Sequence, residues 1–136
     1  MRKKTRSKTG WWIAGIILVA IAVGTYSLWG QASKTDPSPI IGKWQRSDGG
    51  YMLELSEAGP DGQIKAAYFN PRPINVGNAQ WKVQDNQLEV FVELRDVHYP
   101  GSTYTLDYDP NTDQLAGFYF QAVQRKNFPV RFVRTK

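Results

Sequence analysis

The stretch that decides the fold is Leu88-Glu-Val-Phe-Val-Glu-Leu94, in which every second residue is apolar and the acids fall between. Side chains of a β-strand point alternately to its two faces, so this pattern predicts a strand with one buried face and one solvated face. The preceding Asp85-Asn86 pair is typical of a tight turn. The segment therefore predicts one arm of an antiparallel hairpin.

The same alternation recurs on both sides of this hairpin, interrupted by runs rich in Gly, Pro, Asn and Asp. It predicts eight strands, at residues 40–46, 51–57, 63–69, 79–84, 88–95, 103–109, 115–123 and 130–134. Eight short strands with short links favour an up-and-down meander that loses its exposed edges by closing. We therefore predict an all-β fold, an eight-stranded antiparallel up-and-down barrel.

Four tyrosines fall on the inward face by the same parity, namely Tyr51, Tyr68, Tyr104 and Tyr108. A buried phenol needs a hydrogen-bond partner, so these residues fit a partly wet cavity or rings that cap a filled core. Eight-stranded barrels occur in both forms. Parity leaves open which face of the seventh strand carries Tyr119.

A second informative segment runs from Trp11 to Gly30, twenty residues without an ionisable side chain. At about 1.5 Å per residue a helix of this length spans about 30 Å, the thickness of a bilayer's hydrocarbon core. Aromatic residues stand at both ends, and five basic residues precede the run. Because positive charge stays in the cytoplasm, the sequence predicts one N-terminal transmembrane helix with the remaining chain extracytoplasmic.

Two interpretations of this segment stay open. Its length and its aromatic far end favour an uncleaved signal anchor, while Gly30-Gln31-Ala32 would serve as the site of a cleaved signal peptide. The predicted organisation is a cytoplasmic basic tail at 1–10, a transmembrane signal anchor at 11–30, a linker at 31–39 and an extracytoplasmic β-barrel domain at 40–136.

Composition narrows the function classes. The 136-residue chain has no cysteine and a single histidine, which excludes disulfides, thiolate catalysis and cysteine-rich or histidine-rich metal centres. The formal net charge is +5, but six of the 17 basic residues and one of the 12 acidic residues precede Pro37, so 11 of each remain beyond it. A neutral domain gives no reason to expect a nucleic-acid partner.

Gly42-Lys43-Trp44 opens the first predicted strand, and Arg134 ends the last. Together with the eight predicted strands, this pairing resembles the lipocalin and avidin (calycin) superfamily. The resemblance covers the first three strands and the last. It implies a small barrel with a cavity, closed at one end by the arginine lying over the tryptophan ring as a cation-π contact.

Other residues qualify and extend this resemblance. Arg46 stands where avidins present an asparagine to biotin, and the domain has only Trp44 and Trp81, which argues against biotin as ligand. Runs such as Tyr68-Phe-Asn-Pro-Arg-Pro-Ile-Asn-Val76 and Tyr99-Pro-Gly-Ser102 also resemble short bacterial envelope proteins of unassigned function. The expected location is the bacterial inner membrane, single-pass, with the C-terminal domain in the periplasm.

The residue patterns that suggest catalysis or metal binding are incomplete. Asp96, His98 and Ser102 are the residue types of a hydrolytic triad, but they crowd into one predicted turn, whereas a triad needs a rigid scaffold. The acids between Asp107 and Asp113 have the spacing of a calcium loop but lack its glycine and its twelfth-position acid. We predict a chain that is not an enzyme, with no catalytic residue, no metal site and no cofactor.

In the predicted meander, the links 70–78, 95–102 and 124–129 leave the barrel at the same end and form a mouth. The candidate ligand-binding residues there are Arg72, Arg95 and Arg46, with Tyr68 and Tyr104 below them. The predicted function is a membrane-tethered, extracytoplasmic, lipocalin-like binding module for a small apolar or amphipathic ligand. The alternative is a non-enzymatic structural or accessory subunit of a larger membrane protein complex.

Overall fold

The computed structural model describes residues 36–136. The basic tail, the apolar run and residues 31–35 lie outside the described residues, so the membrane anchor and its boundaries stay predictions. Within the described part of the chain, no helix is long and apolar enough to cross a membrane. Ala32–Lys136 forms one compact unit with its own hydrophobic core, as expected of a domain that folds independently.

Residues 36–136 form one short 3-10 turn, Ser38–Ile40, followed by nine strands. The strands are β1 Gly42–Arg46, β2 Met52–Ser56, β3 Lys65–Phe69, β4 Pro73–Ile74, β5 Val76–Gln84, β6 Gln87–Asp96, β7 Tyr99–Asp109, β8 Gln114–Gln121 and β9 Lys126–Arg134. The all-β prediction is confirmed, and no strand lies far from its predicted position.

The strands form a single antiparallel sheet in the order β4-β3-β2-β1-β9-β8-β7-β6-β5. The pairing of the first strand with the last curls the sheet into a nearly closed barrel. A seam remains between β3 and β5. There Gln63 forms an isolated bridge with Gln80, and the Trp81 N–H donates to the Gly62 carbonyl at 2.9 Å.

The predicted long turn at 95–102 is wrong. Two residues, Val97 and His98, link β6 to β7. Pro100 and Gly101, which are typical of turns, lie inside β7 where the register shifts against β6, and Gly101 has a φ of 94°. A β-bulge at this point accommodates a proline that donates no hydrogen bond and a glycine in the left-handed region.

Two other boundaries differ from the prediction. The link at 70–78 contains β4 and the start of β5, so the described residues form nine strands rather than eight. The last strand starts at Lys126 rather than at residue 130 and includes Pro129. A proline fits there because β1 pairs with β9 only from Phe132 onwards. The Pro129 nitrogen, which has no hydrogen to donate, is therefore not required to bond to β1.

Alternate side chains of the strands fill the inside of the barrel. Four large rings there are almost completely buried, and they belong to Trp44, Tyr68, Tyr104 and Phe132. Leu and Val side chains of β2, β6 and β7 pack around them. The interior is therefore filled with side chains, which decides between the two forms that the sequence left open.

One side chain on the inward parity of β5 is exposed. Val83 is 37% exposed, although it shares the parity of Trp81 and Ala79 on β5. Beyond the bridge at Gln80, none of the strands in residues 36–136 faces β5 across the seam. The last residues of this strand consequently extend past the closed part of the barrel. Side chains there are exposed even where they lie on the same face of the strand as buried residues.

Candidate functional site

The barrel has two chemically different ends. The turns β1–β2, β6–β7 and β8–β9 and the β3–β5 link gather at one end, which we call the open end. The other end carries the 3-10 turn and is called the closed end. The three links predicted to leave the barrel together are among those at the open end, although the β6–β7 link is only Val97 and His98.

The closed end is sealed by Trp44 and Arg134. The indole of Trp44 is buried, and its Nε1 donates to the Ile40 carbonyl at 2.9 Å. The Arg134 Cζ lies 4.2 Å from the centroid of the Trp44 ring. This is the cation-π contact that the resemblance implies, with the 3-10 turn as an added layer beneath the indole.

Arg134 also ties together three separate segments. Its Nη1 donates to the Ile41 carbonyl at 2.8 Å and its Nη2 to the Pro39 carbonyl at 2.5 Å. Its Nε and Nη2 donate to both carboxylate oxygens of Asp113, at 2.8 and 3.0 Å. These bonds from Arg134 hold the pKa of Asp113 below its ordinary value. The contacts are structural, and none leaves space for a ligand.

At the open end the structure contains a pocket of about 370 Å³, which we call the mouth pocket. Five aromatic side chains and five polar ones line it. They are Arg46, Tyr51, Tyr68, Asn70, His98, Tyr99, Tyr119, Gln121, Gln124 and Phe128. The residues come from β1, β3, β7, β8, β9 and the links between strands at this end, so only the folded barrel brings them together.

Arg46 occupies the centre of this end and is 12% exposed. Its Nε and Nη2 donate to Asp48, at 2.5 and 2.8 Å, and its Nη1 donates to the Tyr104 hydroxyl at 3.1 Å. The guanidinium lies 4.2 Å from the centroid of the Tyr51 ring. The Asp48 contact raises the pKa of Arg46, so the pair stays ionised and its two charges balance.

The floor of the mouth pocket is a pair of phenols. The hydroxyls of Tyr68 and Tyr104 are 2.8 Å apart, and both side chains are buried. Burial raises the pKa of Tyr104 to about 12 and also raises the pKa of Tyr68 above its ordinary value. Tyr104 itself lies below the lining residues, where it connects Arg46 with Tyr68.

Tyr119 continues the aromatic cluster towards the solvent. Its ring stacks on Tyr104 with a centroid distance of 4.7 Å, which shows that Tyr119 faces inwards. Phe118 consequently faces outwards and is 58% exposed. The strand pairing decides the question that parity left open, because Tyr119 is the partner of Tyr104 on one side and of Phe128 on the other.

The structure does not bring two of the predicted ligand residues to this pocket. Arg72 is exposed in the link before β4 and is not a lining residue. Arg95 is 65% exposed and donates to Glu93 through Nε at 2.8 Å. Glu93 and Arg95 are two apart on the outer face of β6, so the pair is local. Of the three predicted arginines, Arg46 alone lines the mouth pocket.

The residues of the rejected triad have structural contacts instead. Ser102 is buried, and its Oγ accepts the Ala122 N–H at 3.0 Å. Asp96 accepts the N–H groups of Asn75 and Val97, which lowers its pKa. His98 stands exposed at the rim of the mouth pocket. Among residues 36–136, no three His, Cys, Asp or Glu side chains lie close enough to hold a metal ion.

A second, wider groove of about 670 Å³ lies between the segment 58–62, residues 81–83 of β5 and residues 36–37. Its base is Trp81, whose Nε1 donates to the Gly59 carbonyl at 2.9 Å. The indole nitrogen is therefore already occupied. The groove offers fewer converging polar side chains than the mouth pocket does, so it is the weaker candidate for a specific ligand.

Comparison of the chain with protein-family models, with curated proteins and with solved structures gives no match. Any function must therefore be argued from the mouth pocket and its surroundings.

Proposed function

We propose that this chain is a membrane-tethered binding module whose extracytoplasmic barrel holds a small amphipathic ligand at its open end. The observation that carries the proposal is the mouth pocket, which combines aromatic rings with hydrogen-bonding side chains. Its volume of about 370 Å³ falls within the roughly 300–1,000 Å³ that small-molecule sites occupy. Because the interior is filled, the ligand sits on the tyrosine floor rather than inside the barrel.

The ligand is tested with the fragment Ala32–Lys136, the compact unit of the structure. We expect single-chain amphiphiles below their micellar concentrations to shift amide resonances saturably, with the shifts confined to mouth-pocket residues. Phe128→Ser removes an exposed lining ring and should weaken binding about tenfold. Phe118→Ser removes a still more exposed ring from the outer face and should leave binding unchanged.

The same titration examines the two arginines outside the pocket. A variant with Arg72 and Arg95 both replaced by alanine should bind as the parent does, because neither lines the mouth pocket. If that variant loses binding, the ligand contacts the rim residues Arg72 and Arg95, as predicted from the sequence. No saturable binding of any amphiphile would contradict the binding module altogether.

The tether is proposed from the apolar run Trp11–Gly30 and the basic residues before it. A reporter enzyme that is active only in the periplasm, fused after Lys136, should be active. The matched control lacks residues 1–30 and should leave the reporter inactive. Activity of a cytoplasm-specific reporter in the full-length fusion would contradict the proposed topology.

The alternative is an accessory subunit of a membrane complex, in which the barrel serves as a solid contact element. The filled interior and the exposed Phe118 on the outer wall favour it. The two phenylalanine variants separate the proposals. In the alternative, Phe118→Ser releases the partner from the solubilised full chain in native mass spectrometry, whereas Phe128→Ser does not.

A further inference from the structure

The charge of the mouth pocket narrows the kind of ligand. Among the lining residues, Arg46 is the one with a permanent charge, and Asp48 binds two of its nitrogens at 2.5 and 2.8 Å. The centre of the pocket therefore carries a neutralised ion pair. A carboxylate or ammonium head group placed against this ion pair would lose its hydration, and no unpaired opposite charge would compensate for that loss.

The remaining polar groups of the pocket are neutral donors and acceptors. The Asn70 Nδ2 donates to the Tyr99 hydroxyl at 2.6 Å. This bond leaves the amide oxygen of Asn70 as an acceptor and the hydroxyl proton of Tyr99 as a donor, on adjacent parts of the rim. Hydroxyl groups of a ligand can bond both, because each hydroxyl is donor and acceptor at once.

The opposite rim is built in the same way. The Gln121 Oε1 accepts the backbone N–H of Gln124 at 2.5 Å, which fixes the side-chain amide and leaves its Nε2 as a donor. Phe128 and Tyr119 are cross-strand partners and place rings beside this amide. Mixed hydrogen-bonding groups and aromatic rings without net charge thus surround the space.

We infer that the mouth pocket binds an uncharged, hydroxyl-rich ring, such as the hexose head of a glycoside, between the Asn70–Tyr99 pair and Gln121. This inference rests on the proposed function and names the head group of its ligand. The ring hydroxyls bond to the rim amides and phenols, and the less polar face of the ring packs against the aromatic side chains.

The test uses two amphiphiles with the same alkyl chain and different heads, octyl β-glucoside and octyl sulfate, titrated into the Ala32–Lys136 fragment below their micellar concentrations. The glucoside should bind at least about tenfold more tightly than the sulfate. Equal or tighter binding of the sulfate would overturn the inference and leave the binding module standing. If neither probe binds saturably, both proposals fail.

A charge variant sharpens this comparison. Gln124→Lys places a cation on the rim, where the Gln124 side chain is exposed, and should raise the affinity for octyl sulfate about fivefold relative to the affinity for octyl β-glucoside. Asn127→Lys adds the same charge on the outer face of β9, opposite Phe120, and should change neither affinity. A larger gain at Asn127 than at Gln124 would place the head group outside the pocket and refute the inference.

Discussion

The contact between Trp44 and Arg134 makes a quantitative prediction about the closed end. Replacing Trp44 with alanine removes a completely buried indole and should lower the free energy of unfolding by about 3–5 kcal/mol. It also breaks the hydrogen bond from Nε1 to the Ile40 carbonyl. The 3-10 turn would then lose one of the contacts that hold it against the barrel.

Arg134→Ala should cost less, and its cost follows from the contacts of the guanidinium. The bonds to the Pro39 and Ile41 carbonyls contribute about 1 kcal/mol each, and the cation-π contact contributes about 0.5–1 kcal/mol. The ion pair with Asp113 adds little because both side chains are partly exposed. The expected total is about 2–3 kcal/mol.

The two losses should not add, because both variants remove the same contact and loosen the same turn. In urea unfolding of the Ala32–Lys136 fragment, followed by far-ultraviolet circular dichroism, the double variant should be at least about 1 kcal/mol more stable than additivity predicts. Trp44→Leu, with a smaller loss, replaces Trp44→Ala if the double variant does not fold. The exposed Arg131→Ala on the same strand should change stability by less than about 0.5 kcal/mol. Additivity within about 0.5 kcal/mol would refute the shared contact.

Three further predictions concern single groups. Burial raises the pKa of Tyr104 to about 12. The contribution of this raised pKa to the free energy of unfolding is therefore complete below about pH 10, the ordinary pKa of tyrosine, and is lost as the pH rises towards 12. In denaturant unfolding across this range, Tyr104→Phe should lose less stability than the parent. Arg134 lowers the pKa of Asp113. The stability advantage of the parent over Asp113→Asn should therefore be complete above about pH 4 and should shrink as the pH falls through the lowered pKa. A stability advantage that grows in acid would contradict the ion pair. Gly42 has a φ of 140°, and a Cβ there would approach the Arg134 Nη1 to 2.6 Å. Gly42→Ala should therefore lower the thermal midpoint by several degrees, a loss of at least about 1 kcal/mol. Gly50 has open space around it, so Gly50→Ala should change the thermal midpoint by less than about two degrees.

The antiparallel sheet was predictable because alternation is a local signal. In β6 every second residue from Leu88 to Leu94 is buried, as the two-residue period requires. Short links between neighbouring strands also fixed the order in which the strands pair. The pairing of β1 with β9 followed from the need to remove the exposed edges of such a sheet.

The errors arose where one residue type serves two purposes. Pro100 and Gly101 are as suitable for a bulge inside a strand as for a turn, and only the register against β6 distinguishes the two. The last strand was predicted to start at residue 130 rather than at Lys126, although a strand tolerates a proline such as Pro129 where its neighbour has ended. Both decisions depend on the partner strand, which a single stretch of sequence does not contain.

The candidate site was predictable in part. Strand parity placed Tyr68 and Tyr104 inside and Arg46 at the same end of the barrel. The pairing of Arg46 with Asp48 has a visible signal, since residues two apart on an extended chain share a face. Tyr119 and Gln121 had no such signal, because their strand carries apolar residues on both faces.

The filled core and the mouth pocket have a common cause. Tyr104 packs on Tyr119 on one side and on Phe132 on another, while its hydroxyl bonds to Tyr68 and accepts from Arg46. Enlarging the cavity would therefore leave buried polar groups of this cluster without partners, at a cost of about 1–3 kcal/mol each. This network therefore keeps the interior of the barrel closed. In the proposed binding module, selectivity rests on the few side chains above the tyrosine floor, while the network beneath them holds that floor in place.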